Sequence, residues 1–194
     1  MNQSVVNWFA NDELFFKECR EGHKWQVHVG EFFASQGLPV QIPELTFRGN
    51  PNVLDYTDAD AKLWAEARQK SEMARVEYVN TKDLLVCGKV IEVKSRRLKF
   101  TCPSDYPFSM IFVDTVSGYD QKDPKPVMYV CVSQETGKMI CTLTRNSHLW
   151  SKTKTFDKVR KIWVVNYVAS WTLWHPISVA VNAFKSFHEN PVAV

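Results

Sequence analysis

Three charged residues in the middle of the chain have a spacing that could support metal-dependent hydrolysis. Asp83 opens an apolar run, and Glu92 and Lys94 lie in the next apolar run, beyond a Gly88-Lys89 pair. Glycine at the first position of a two-residue turn is typical of a type II′ β-hairpin. We therefore expect two antiparallel strands, residues 83–87 and 90–95, that bring these charges together.

The expected pairing of the hairpin determines which side chains meet. With Cys87 opposite Val90, Asp83 lies opposite Lys94, and Glu92 is a diagonal neighbour of Asp83. Because side chains alternate between the two faces of a strand, all three charged groups share one face. A one-residue change of register would separate them.

Two neighbouring carboxylates repel each other unless a cation stabilises their ionised forms. Mg²⁺, or Mn²⁺ in its place, is the expected cofactor because it prefers oxygen ligands and retains several waters. The predicted ligands are Asp83, Glu92 and the backbone carbonyl of Val93. Lys94 would orient or help deprotonate the attacking water and offset negative charge in the transition state. A Glu-x-Lys triplet alone usually lies on the solvent-exposed face of a strand and has no catalytic role. The hypothesis of phosphodiester hydrolysis therefore depends on Asp83 as well.

Asp83 followed by Glu92-Val93-Lys94 resembles the signature of the PD-(D/E)xK nucleases. The resemblance covers about residues 20–100 and, more loosely, the strands to about residue 145. It implies a restriction-endonuclease-like fold and Mg²⁺-dependent cleavage of DNA, by an endonuclease similar to phage or mobile-element nucleases.

The N-terminal segment adds to the resemblance. Gly22, Gln26, Val29 and Gly37 are spaced as in the helix of nucleases similar to Holliday-junction resolvases. The family places a metal-assisting Glu where this chain has Gln26. The resemblance therefore implies that Gln26 is a supporting polar group in the catalytic site, one that supplies no charge.

Basic residues are segregated into two clusters. The formal net charge is only +3, which is too small to identify a partner by itself. The first cluster adjoins the expected site and the second follows residue 150: Lys89, Lys94, Arg96, Arg97 and Lys99, then Lys152, Lys154, Lys158, Arg160 and Lys161. Such clusters are typical of contacts to DNA phosphates, with solvated surface runs as the alternative.

The hydrophobic periodicity predicts helix, then a β-rich middle, then helix. A first helix is expected over residues 12–36 and stops at Gly37. The sequence does not decide whether this helix is continuous or broken near Gly22. A second runs from Asp58 or Asp60 to about Met73. Further strands are expected at 109–115, 127–133, 138–144 and 161–168, and Pro176 begins a closing helix. This order predicts an α/β or α+β fold with a central mixed sheet flanked by helices, in one domain over 1–194. The core would span about 12–145, with an aromatic-rich extension over 146–194.

Composition narrows the class of protein. Hydrophobic residues make up 45% and charged residues 23% of the 194, which excludes a disordered chain. Five cysteines without a CxxC pair favour a reducing compartment, so we expect the cytoplasm, that of the host if the protein is phage-encoded. The uncharged stretch Ile162–Phe184 contains too many polar groups for a membrane span, and no membrane is expected.

Several interpretations stay open. Asp114-Thr115 could lie near the site or cap a turn, and the chain could form a homodimer. A catalytically impaired DNA- or protein-binding member of the same fold is one alternative to a nuclease. A structural or virion-associated protein is another, suggested by Trp163, Trp171 and Trp174. His23 and His28 are five residues apart, which does not suit a zinc pair on a helix.

Overall fold

A computed structural model describes residues 3–42, 84–157 and 162–189 of the chain. The chain divides into two compact units, residues 1–24 with 43–82 and residues 25–42 with 83–194. Only the helical residues 3–24 of the first unit are described. The expectation of one domain over 1–194 stays a prediction.

The described residues form three α-helices and nine strands, with short 3₁₀ segments between some of them. The helices are α1 (Gln3–Ser35), α2 (Val116–Asp120) and α3 (Ile177–Glu189). The strands are β1 (Val40–Gln41), β2 (Leu84–Val86), β3 (Lys89–Arg96), β4 (Met110–Thr115), β5 (Met128–Ser133), β6 (Met139–Leu143), β7 (Ser151–Asp157), β8 (Ile162–Ser170) and β9 (His175–Pro176).

These strands form two sheets. The larger has the order β1-β2-β3-β5-β6-β9, and the smaller has the order β4-β8-β7. In the larger sheet β3 and β5 are parallel and the other pairs are antiparallel. The predicted mixed α/β class with a mixed sheet is therefore confirmed, while the restriction-endonuclease-like fold stays a prediction.

The central strand β5 is buried along its whole length, as its continuous run Met-Tyr-Val-Cys-Val-Ser leads one to expect. One face of the larger sheet packs against α1 and α3, through Val29 and Phe33 on α1 and Phe184 on α3. The other face packs against the smaller sheet, with Tyr129 and Ile111 in one buried cluster. The sheet is therefore a middle layer, and side chains on its two faces lie in different environments.

Most predicted elements agree with the structure to within one or two residues. The strands expected at 109–115, 127–133 and 138–144 are β4, β5 and β6, and the strand at 161–168 is β8. Helix α1 is continuous through Gly22, begins at Gln3 rather than at the predicted residue 12, and ends at Ser35, one residue before the predicted end. Gly37 adopts a φ of 79° and its N–H donates to the carbonyl of Ala34 at 2.9 Å. Pro176 belongs to β9, so the closing helix begins one residue later. The helix expected at 58–73 lies outside the described residues.

The expected turn of the β2–β3 hairpin is wrong. Cys87 and Gly88 form the turn, with φ of 49° and 71°, and Leu85 rather than Cys87 pairs with Val90. Two consecutive positive φ angles match a type I′ turn, whose twist suits a two-residue hairpin. Because the pairing differs from expectation by two residues, each β3 side chain keeps its predicted face. Asp83 lies outside the described residues.

The uncharged stretch Ile162–Phe184 folds as β8, a 3₁₀ turn, β9 and the first part of α3. Among the helices that the structure describes, none combines the length and the apolar character that crossing a membrane requires.

Replacing Gly88 tests the turn assignment. A Cβ at Gly88 would meet nothing within 4 Å, so its cost is that of the left-handed backbone alone. We expect Gly88→Ala to lower the free energy of unfolding by about 1 kcal/mol, measured by urea denaturation. Cys87→Asn, which tolerates a positive φ, is the matched variant and should unfold at a urea concentration equal to or above that of the wild type. Equal stability of Gly88→Ala and the wild type would contradict the type I′ turn.

Candidate functional site

Glu92 and Lys94 project from the central part of the larger sheet towards the smaller sheet. Their neighbours Ile91 and Val93 pack into the cluster on the opposite face, beside the helices. This alternation leaves Glu92 buried, at 6% exposure, and it places the Lys94 ammonium 2.6 Å from the Glu92 carboxylate. The predicted meeting of Glu92 and Lys94 on one face is therefore seen in the structure.

A second carboxylate comes from the smaller sheet. The β4–β8 pairing shifts between Phe112 and Asp114, a β-bulge at the end of an apolar strand. Bulges redirect side chains, and here Asp114 Oδ1 lies 3.3 Å from the Lys94 ammonium. Asp114 thus belongs to the site, one of the two possibilities that the sequence left open.

The next residue, Thr115, caps a helix, which corresponds to the other possibility that the sequence left open. Its hydroxyl accepts a hydrogen bond from the Gly118 N–H at 2.9 Å, at the start of α2. Gly118 is needed there, since a Cβ would lie 2.6 Å from the Thr115 hydroxyl and 3.3 Å from Asp114 Oδ1. The Thr115 N–H also donates to Asp114 Oδ1 at 2.9 Å, so the start of α2 helps to orient the Asp114 carboxylate.

Lys122, two residues beyond α2, completes a closed arrangement of charges. Its ammonium bonds to Glu92 Oε2 and, at 2.9 Å, to Asp114 Oδ2. Lys94 contacts the remaining oxygen of each carboxylate. We call these four alternating charges, Lys94, Glu92, Lys122 and Asp114, the charge ring. Its formal charge is zero, which reduces the cost of burying two carboxylates.

The two carboxylates are more deeply buried than the two lysines. The Glu92 and Asp114 side chains are 8% and 7% exposed, whereas those of Lys94 and Lys122 are 25% and 26% exposed. Solvent therefore reaches the charge ring on its lysine side.

Lys122 is held in its charged form by this environment. Burial alone would lower the pKa of Lys122, but the charges of Glu92 and Asp114, and the hydrogen bonds to both carboxylates, outweigh burial and raise it. The ammonium is thus protonated at neutral pH and acts as a fixed cation between the carboxylates.

Tyr129 supports the charge ring from β5. Its hydroxyl donates to Asp114 Oδ2 at 3.0 Å. Burial raises the pKa of Tyr129, and the nearby charges of Asp114 and Glu92 raise it further. The phenol therefore stays protonated and orients the Asp114 carboxylate.

The donor atoms of the ring suit a hard divalent cation. Glu92 Oε2 and Asp114 Oδ2 converge on a single positive group, the Lys122 ammonium, which stands where a cation would balance both charges. Two carboxylates with several waters are a common ligand set for Mg²⁺. No group of three or more His, Cys, Asp or Glu side chains arranged for a metal occurs within the part of the chain that the structure describes.

The other residues predicted for catalysis are placed as follows. Gln26 is buried on α1, on the same helical face as Val29 and Phe33, and its supporting role stays a prediction. The side chain of Val93 packs beside the helices, and its carbonyl as a metal ligand also stays a prediction. Asp83 lies outside the described residues, so its ligand role is untested.

The predicted nucleic-acid contacts lie in two places. Lys89 begins β3, Arg96 ends it, and Arg97 and Lys99 follow with exposed side chains. Lys152 and Lys154 are exposed on β7, a strand that the sequence analysis did not predict. Lys158, Arg160 and Lys161 lie outside the described residues.

Sequence reasoning missed Lys122 and Tyr129. Asp114 carried a signal, because a carboxylate ending an apolar strand is a typical site position. Lys122 carried none, since it lies in a loop thirty residues from Glu92 along the chain. Only the fold brings it to the carboxylates.

Comparison with known proteins found no matching family model, no matching curated protein and no matching solved structure. The likeness to PD-(D/E)xK nucleases therefore remains an expectation from the sequence.

Charge balance makes the members of the ring interdependent. Lys122→Met leaves one excess negative charge, Asp114→Asn leaves one excess positive charge, and the double variant is neutral again. We expect each single variant to lose about 2 kcal/mol of unfolding free energy, less than for fully buried pairs because the lysines are partly exposed. The double variant should lose less than the sum, by about 1 kcal/mol or more, in urea denaturation.

Two exposed residues outside the ring provide the control. Glu135→Gln and Lys185→Met, on the β5–β6 turn and on α3, should combine additively. Additive losses for Asp114→Asn and Lys122→Met as well would show that the ring does not act as a unit.

Proposed function

We propose that this protein is a Mg²⁺-dependent nuclease that hydrolyses phosphodiester bonds in DNA. The observation that carries the proposal is the charge ring: two buried carboxylates converge on one cation, with a second, partly exposed lysine beside them. The likeness of the Glu92-Val93-Lys94 triplet to PD-(D/E)xK nucleases agrees with it.

In this proposal Glu92 and Asp114 would hold the metal, together with Asp83 and the Val93 carbonyl that the sequence predicts. The bound ion would polarise a phosphoryl oxygen and lower the pKa of a bound water. Asp114 is a ligand that the sequence motif does not include, and it replaces none of the predicted residues.

In this proposal Lys94 orients or helps deprotonate the attacking water and offsets negative charge in the transition state, as the sequence predicts. Its ammonium contacts both carboxylates, and its side chain is a quarter exposed. A fixed cation there would bind the scissile phosphate and stabilise the negative charge that develops on its oxygens. Tyr129, by holding Asp114, is a positioning residue.

Lys122 competes with the metal for the same oxygens. While its ammonium bridges the carboxylates, their negative charge is already balanced. Loading of the metal therefore requires Lys122 to move out. Once displaced, this lysine is another cation available to a phosphate.

Cleavage assays test the activity. Purified protein with Mg²⁺ or Mn²⁺ should cut at least one of supercoiled, linear, single-stranded or branched DNA. Glu92→Gln, Asp114→Asn and Lys94→Met should each lower the rate by about 100-fold or more, because each removes a group that binds the metal or the transition state. The exposed Glu135→Gln is the matched carboxylate control and should cut like the wild type. Intact DNA under all these conditions would refute the proposal.

Metal binding gives a readout that does not depend on cleavage. Lys122→Met should bind Mn²⁺ more tightly than the wild type, by about tenfold, since the carboxylates lose their internal cation. Asp114→Asn should bind Mn²⁺ more weakly, and Lys185→Met should leave binding unchanged. Titration followed by electron paramagnetic resonance of free Mn²⁺ measures all three. Unchanged affinity in Lys122→Met would argue against a metal between Glu92 and Asp114.

A second candidate is a nucleic-acid-binding protein without catalysis. It is favoured by the neutrality of the charge ring, whose carboxylates are already satisfied by Lys94 and Lys122. DNA binding that survives Glu92→Gln, without cleavage or Mn²⁺ binding by the wild type, would establish it in place of the nuclease.

A further inference from the structure

The β7–β8 hairpin bears a strip of basic and apolar side chains that is exposed except at Tyr167, which is half-buried. The strip consists of three residues from each strand: Lys152, Lys154 and Phe156 of β7, and Trp163, Val165 and Tyr167 of β8. We call these six residues the hairpin strip.

The register of the hairpin puts all six on one face. Lys152 pairs with Tyr167, Lys154 with Val165 and Phe156 with Trp163, and each strand contributes every second residue. Ring contacts agree with this arrangement. The Lys152 ammonium lies 5.2 Å from the centre of the Tyr167 ring, and the Lys154 ammonium lies 5.5 Å from that of Trp163.

The far end of the strip is open to solvent. Trp163 is 63% exposed, Phe156 is 47% exposed and Val165 is 42% exposed. The Phe156 and Trp163 rings pack at 5.5 Å in an edge arrangement, which leaves aromatic surface uncovered. A contiguous patch of exposed apolar side chains on a protein surface is typical of a binding site.

The near end of the strip adjoins the charge ring. Tyr167 pairs with Asp114 in the β4–β8 ladder, so Asp114, Tyr167 and Lys152 occupy one cross-strand row. The Tyr167 hydroxyl donates to Asp120 Oδ1 at 3.1 Å, and its ring contacts Tyr119 at 5.3 Å. The strip therefore extends from the site outward on the same face of the smaller sheet.

We propose that the hairpin strip binds single-stranded nucleic acid and leads it to the charge ring. Bases would stack on Trp163 and Phe156 while the ammonium groups of Lys152 and Lys154 contact phosphates. Aromatic faces interleaved with cations are the arrangement by which proteins hold single strands without reading their sequence. In a duplex the base faces are already stacked, so this strip favours an unpaired strand or a frayed end.

The inference rests on the proposed function, because it specifies the substrate of the same site. The two are tested separately, since binding can be measured without cleavage. Among the hairpin-strip residues the charged groups are both positive. This composition favours a polyanion over a second copy of the chain, which would bring two like-charged strips together.

Fluorescence anisotropy with a labelled 20-nucleotide oligo(dT) in EDTA tests the proposal on the full chain. Trp163→Ala should weaken binding by about tenfold, and Trp163→Phe should retain most of it, because stacking is retained. Lys152→Gln with Lys154→Gln should reduce the slope of log K against log[salt] by about 1.4, the value for two phosphate contacts on a single strand. Trp171→Ala and Lys185→Gln, exposed residues outside the strip, are the matched controls and should bind like the wild type.

The same variants define the results that would overturn the proposal. It fails if Trp163→Ala binds oligo(dT) as tightly as the wild type, or if it weakens binding to a blunt duplex to the same extent. It also fails if the wild type is a dimer that Trp163→Ala dissociates, or if it binds phosphatidylserine vesicles but not oligo(dT). Strong binding of oligo(dT) without cleavage in Mg²⁺ would support the hairpin strip as a binding site for single strands and refute only the proposed nuclease activity.

Discussion

Mutual neutralisation of four buried or half-buried charges is the constraint on which the rest of this structure depends. Glu92 and Asp114 are removed from water by the packing of two sheets, and each could be buried in ionised form only beside a cation. Lys94 and Lys122 supply those cations from β3 and from the loop after α2. Because the four groups come from three separate segments, their pairing also links the larger sheet to the smaller one.

In the proposed function the same four charges would also provide the metal site. The carboxylates are buried while the two lysine side chains are about a quarter exposed, and a divalent cation would take the place of the Lys122 ammonium. The Tyr129 hydroxyl and the Thr115 N–H both donate to Asp114, and they would keep its carboxylate oriented. The β4–β8–β7 sheet then connects the charge ring with an exposed aromatic and basic surface. In the proposed function the smaller sheet supplies both a metal ligand, Asp114, and the surface that binds nucleic acid.

Much of the scaffold was predictable because local patterns determine it. Apolar runs identified β4, β5, β6 and β8, and Gly37 marked the end of α1. The placement of Glu92 and Lys94 on one face followed from strand alternation, even though the hairpin turn was assigned one residue too late. That error arose because Cys87 occupies a positive φ, which sequence reasoning reserves for Gly or Asn. Strand β7 is not predicted because it alternates Lys and Thr without an apolar run, a pattern that indicates only a basic cluster. Lys122 could not have been predicted, since only long-range packing brings it to Glu92.

The proposed nuclease depends on a divalent-metal site formed by Glu92 and Asp114, which Lys122 occupies when no metal is present. The most direct test is a crystal structure of the protein soaked in Mn²⁺, with anomalous diffraction recorded near the manganese edge. We expect an anomalous peak between the carboxylates of Glu92 and Asp114, with the Lys122 ammonium displaced from both. No peak there at saturating Mn²⁺, with Lys122 still bridging the two carboxylates, would contradict it.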